Sequence, residues 1–98
     1  MIKPNILRGE VLESLYKLYP DGASDDSLHS IFFQYNKYES VTNAINYLLD
    51  KKLIKKIEEP DLFAAGAVFV RYKITPEGID LIEGSVKSIP GILIPRRG

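Results

Sequence analysis

The sequence predicts a small α+β domain, mainly α, with four helices and a β-hairpin between the third and the fourth. Three observations lead there. Apolar residues recur every three or four positions in three stretches between Leu7 and Leu49. The period changes to two between Ala67 and Ile74. Thr75-Pro76-Glu77 then opens a last short helix that Gly84 closes: a capping threonine, proline at the first helical position, acid in the first turn.

Leu7, Val11, Leu15 and Leu18 mark the first amphipathic helix, which Pro20 and the turn-forming Asp21-Gly22 end. Gly9 inside it costs up to about 1 kcal/mol of helix propensity relative to alanine. Ser24 offers a side-chain oxygen to cap a second helix, with Asp25 and Asp26 at the positive end of its dipole. Leu28, Ile31, Phe32 and Tyr35 are its expected buried stripe, and Asn36-Lys37 breaks the pattern. Ser40 is the next expected cap. Val41, Ala44, Ile45, Leu48 and Leu49 then form the cleanest helical stripe in the chain. Leu53 to Glu58 and Ala67 to Ile74 are the strands, joined through Pro60-Asp61 and Ala64-Ala65-Gly66. In the second strand Val68, Val70, Tyr72 and Ile74 share one face, with Phe69, Arg71 and Lys73 on the other.

At 98 residues the chain has room for one domain, expected over residues 1–84, and a tail over residues 85–98 that carries Ile89, Ile92, Leu93 and Ile94. It has no cysteine, which rules out a disulfide framework and a thiolate metal site. Met1-Ile2-Lys3-Pro4-Asn5 lacks the apolar run of a secretion signal, and no stretch approaches the roughly 20 apolar residues that span a bilayer. A cytoplasmic protein without a membrane partner is therefore expected. The formal net charge is zero, which counts against strong non-specific nucleic-acid binding. The balance is nevertheless uneven: Asp21, Asp25 and Asp26 make the first third acidic, and lysines and arginine make the middle basic.

Helix, helix, helix, hairpin, helix is the order of a winged helix-turn-helix, with a three-helix core, a two-stranded wing and a C-terminal helix. Leu48-Leu49-Asp50-Lys51-Lys52-Leu53-Ile54 resembles the exit from the recognition helix of many winged-helix repressors, and Tyr72-Lys73-Ile74-Thr75-Pro76-Glu77-Gly78 resembles their strand-to-last-helix junction. A narrower likeness lies further on. Ile74-Thr75-Pro76-Glu77-Gly78-Ile79-Asp80-Leu81-Ile82-Glu83-Gly84, then Ile89-Pro90-Gly91-Ile92 and Pro95, is similar to small ArsR-like winged-helix proteins of Mu-like phages and prophages. The sequence departs from that pattern in its longer, more apolar wing (Asp61-Leu62-Phe63-Ala64-Ala65-Gly66) and its Ile92-Leu93-Ile94 run. The resemblance implies the fold and a phage or prophage origin. It implies no metal sensing here, because one histidine and no cysteine cannot make such a site.

If the third helix reads a major groove, Thr42, Asn43, Asn46 and Tyr47 are its reading face; asparagine can pair bidentately with adenine. Lys37, Lys51, Lys52, Lys55, Lys56, Arg71 and Lys73 are the expected phosphate contacts. The competing readings are a solvated helix face and lysines that guard strand edges. Arg96 and Arg97 are either a minor-groove arm or a frayed end. The lone His29 is expected to be solvated. No paired carboxylates, nucleophile elbow or phosphate loop is present, so no catalytic residue, cofactor or metal is assigned. Tyr19, Tyr38 and Phe63 fall at turns or the wing, where aromatics often mark a partner surface. The apolar wing and tail are expected either to be buried against a second copy or, for the tail, to fold back over its own core. The expected function is thus a dimeric, double-stranded-DNA-binding regulator. The alternative is a winged-helix protein-interaction module that reads no DNA.

Overall fold

The computed structural model describes residues 3–95. The first helix, α1 (Pro4–Lys17), starts on proline and buries Leu7, Val11, Leu12 and Leu15. Leu18, expected in that stripe, lies past the helix end and is exposed. Gly9 is buried, and a Cβ there would collide with the Leu93 backbone carbonyl. The propensity lost at Gly9 is the cost of letting the tail lie directly on the helix. Leu93 N–H donates to the Asn5 carbonyl at 3.0 Å, and Ile92 is buried in the core beside α1. The tail, one of whose expected roles was to form a dimer, therefore folds back over its own chain.

Two residues, Ala23–Ser24, form β1, a strand too short to show a period of two in the sequence. Ser24 also caps α2 (Asp25–Phe32): its Oγ accepts from the Ser27 N–H at 3.1 Å. Only part of the expected α2 stripe is inside. Leu28 is buried and Phe32 packs against the core, whereas Ile31 and Tyr35 are exposed. The helix stops at Phe32, so Tyr35 lies beyond it, and a single turn inward from Leu28 needs only its i+4 neighbour.

The third helix, α3 (Tyr38–Asp50), begins two residues ahead of the expected Ser40 cap, and no side chain caps it at Lys37. A tertiary contact holds its first turn instead: the Tyr38 ring stacks on His29 with centroids 3.9 Å apart. Val41, Ala44, Ile45 and Leu48 are buried. The helix closes in a Schellman turn, with Leu53 N–H on the Leu48 carbonyl and Lys52 N–H on that of Leu49, both at 3.0 Å. Lys52 occupies the left-handed position at φ 62 that glycine usually takes. At the end of α4 (Pro76–Glu83) Gly84 fills the equivalent place at φ 77.

Strands β2 (Ile54–Pro60) and β3 (Val68–Ile74) pair antiparallel from Ile54 opposite Ile74 to Pro60 opposite Val68. β1 joins on the other side of β3, with Ala23 opposite Tyr72 and Ser24 opposite Arg71, giving the order β1-β3-β2. The described residues thus form a small α+β fold of four helices and a three-stranded antiparallel sheet, a layout compatible with a winged helix. Ile54, Tyr72 and Ile74 face the core at the base of the hairpin. Thr75 ties α4 to that base: its Oγ1 accepts from Gly78 N–H at 3.2 Å and donates to the Lys52 carbonyl at 2.7 Å. No helix among the described residues is long and apolar enough to cross a membrane.

Two stability predictions follow from backbone geometry. Lys52→Gly removes the left-handed strain and is expected to raise the unfolding free energy by about 1 kcal/mol in denaturant titrations. Gly9→Ala, favourable for an isolated helix, is expected instead to destabilise by about 1–3 kcal/mol. Its signature is faster hydrogen exchange at the Leu93 amide, because the tail must leave α1.

Candidate nucleic-acid interface

Helical geometry sets Glu39, Asn43, Asn46 and Asp50 on one ridge of α3, opposite the buried stripe, and all four are exposed. Asn43 and Asn46 therefore stand where the sequence expected them. The two carboxylates that share their ridge were not part of that expectation. Neither Thr42 nor Tyr47 is a free reading group. Tyr47 is half-buried beneath the Arg8 guanidinium, which lies 3.8 Å from its ring centroid and donates to the Gly91 carbonyl at 3.0 Å. Gly91 sits so close to the Tyr47 hydroxyl that a Cβ would strike it. The tail and α1 thus clamp this ring.

Thr42 belongs to a line of polar contacts through three elements. Tyr72 on β3 donates to Asp25 Oδ1 at 3.1 Å. His29 Nδ1 lies 2.9 Å from the Asp25 carbonyl, and its Nε2 lies 3.0 Å from Thr42 Oγ1. A carbonyl can only accept, so the proton is assigned to Nδ1, and Thr42 then donates to Nε2. His29 is only 8 % exposed. The expectation of a solvated histidine is thus corrected: its ring stacks against Tyr38 and both nitrogens have partners. A lone histidine leaves no pattern in a sequence, which is why its role was not legible.

The seven expected phosphate contacts do not share one surface. Lys37, Lys51 and Lys52 are exposed at the two ends of α3. Lys55 and Lys73 are cross-strand neighbours on the sheet face away from Ile54 and Tyr72, beside Tyr19, Pro20, Pro76 and Ile79. Lys56 pairs with Glu58 at 3.8 Å, and Arg71 with Glu59 at 3.6 Å and the Asp21 carbonyl at 3.2 Å. Pairs this exposed add little stability, yet they offset charge that phosphates would otherwise meet. Arg96 and Arg97 lie outside the described residues.

Aromatic exposure is the larger surprise. Phe33 (75 % exposed), Tyr35 (71 %) and Tyr38 (66 %) crowd the turn that leads into α3. At the hairpin tip Leu62 and Phe63 are almost wholly in solvent, Phe63 at 95 %. An Asx-type bond from Phe63 N–H to Asp61 Oδ1 (2.8 Å) holds the tip in shape. No group of three or more potential metal ligands occurs among the described residues.

Burial first, then the neighbouring Asp25 carboxylate, push the Tyr72 phenol up to about 12. An unfolded tyrosine ionises near 10, so between about 10 and 12 the folded chain keeps a proton that the unfolded chain loses. Stability intact below pH 10 is thus expected to fall as pH rises through this window. Tyr72→Phe is expected to flatten that fall and to remove the latest component of the ultraviolet tyrosinate titration.

Compared with family models, curated proteins and solved structures, the chain matches none.

Proposed function

We propose that this chain is a cytoplasmic protein-binding module on a winged-helix scaffold, with α3 as its presenting helix and the β2–β3 hairpin as its wing. The observation that carries the reading is the company α3 keeps: a ridge with two carboxylates at its ends, fed by a turn of three exposed aromatics. Exposed aromatic clusters are typical of protein-binding surfaces, because a large ring is buried at low entropic cost. A phosphate-binding face needs a concentrated positive field. Here Glu39 and Asp50 stand where that field would be required, and the cations are scattered over the ends of α3 and both faces of the hairpin. The role is one of binding, not catalysis. The tail needs no second copy of the chain, since it is used within its own core.

A second reading, the DNA-binding regulator, keeps one specific support. Asn43 and Asn46 are exposed one turn apart, with Lys37, Lys51 and Lys52 flanking them. That is the amide chemistry that pairs with adenine.

A photo-crosslinking residue placed at Tyr35 in cells separates the two. The expected adduct is digested by protease and resists nuclease. Mobility-shift titration on duplex DNA at about 50 mM salt is expected to show no complex tighter than about 10⁻⁵ M. A tighter, salt-sensitive complex that Asn43→Ala with Asn46→Ala weakens would overturn the proposal in favour of the regulator.

A further inference from the structure

We infer that the open edge of β3 at Val68–Val70 accepts an extended, cationic peptide segment as an added strand. The inference shares with the proposed function the premise that the chain binds protein, but it rests on a different surface. β1 pairs with β3 only at Tyr72 and Arg71. Beyond Ser24, residues Val68, Phe69 and Val70 are paired with Pro60, Glu59 and Glu58 on one side and have no partner strand on the other among the described residues.

The two edges of the sheet are protected very differently. β2, at the outside, carries Lys55, Lys56, Glu58, Glu59 and Pro60, the charges and proline that discourage strand addition. The open stretch of β3 is Val68-Phe69-Val70, with no charge and no proline, and with Val68 and Phe69 more than half exposed. It is also flanked by hollows. One of about 250 Å³ is lined by Ser24, Asp25, Asp26, Val68, Phe69 and Val70. Another of about 280 Å³ is lined by Ser24, Glu59, Phe69, Val70 and Arg71. An added strand points successive side chains to opposite faces, so neighbouring residues of the guest would enter one hollow each.

Charge chooses the guest. Asp25 is engaged with Tyr72 and His29, and Arg71 with Glu59 and Asp21. Asp26 is exposed at the rim of the first hollow. A lysine or arginine of the guest finds a carboxylate there. A second copy pairing on this edge would instead bring the exposed Asp26 toward its own equivalent, which like-charge repulsion disfavours.

The test uses a short, end-capped peptide alternating valine and lysine, titrated into the isotopically labelled full chain and followed by amide NMR. The expected result is saturable shifts and slowed exchange centred on Ser24 and Val68–Val70. Binding is expected to weaken roughly ten-fold with Asp26→Asn or with glutamate in place of the peptide lysines. A peptide N-methylated at alternate residues is expected not to bind, because it cannot make the backbone bonds. Three results would overturn the inference: no shifts at these residues, equal binding of the N-methylated peptide, or self-association through Val68–Val70 in sedimentation. Peptide shifts confined to α3 would also overturn it while leaving the α3 reading intact. Conversely, loss of the protein adduct at Tyr35 with binding at β3 retained would remove only the proposed function.

Discussion

Burial of apolar surface pulls helices and strands together without telling them how to face one another. In this chain the direction comes from the line Tyr72–Asp25–His29–Thr42, which joins β3 to α2 and α2 to α3. Each link is directional, and several lie at the margin of a core where solvent is excluded. There a hydrogen bond is stronger than in open water, and breaking one costs more than at the surface. α2 is short and buries little beyond Leu28 and His29, so its pose depends on these contacts more than on packing. Tyr38 stacked on His29 extends the same line to the first turn of α3, at the point where no side-chain cap supports it.

A second constraint is size. A chain this small exposes much of its surface, and three short helices with a hairpin leave one flank of α1 uncovered. The tail covers it. Ile92 enters the core, Ile89 and Ile94 pack at its margin, and Arg8 spans the gap between Tyr47 and the Gly91 carbonyl. Arg8 uses both its charge and its planar face, a combination lysine does not offer. The residues that pattern alone marks as a candidate dimer contact are thus needed at home.

Periodicity made three helices and the hairpin legible, because each buries a face whose spacing repeats, and cap residues marked the fourth helix. The caps at Ser24 and Thr75 and the stop at Gly84 were equally readable, since each supplies a local bond or backbone angle. Whatever depends on distant partners was not readable. β1 exists only because β3 is there to pair with it. Ser40 lost its capping role to a stacking contact with a residue nine positions upstream of Tyr38. Tyr35 fits a helical stripe on paper, but α2 ends before reaching it, and Ile31 within α2 faces outward. The exposed amides Asn43 and Asn46 were found by spacing, whereas the fate of Tyr47 turned on a tail that no local pattern connects to it.

The hairpin tip stands apart from the core. From Glu58 to Phe69 nearly every residue is exposed, and the cluster that holds the fold together includes none of them. The side chains at this tip add nothing to that cluster. Turns usually carry polar residues, yet Leu62 and Phe63 stand in open water. Packing among the described residues therefore gives no account of the apolar surface at this tip.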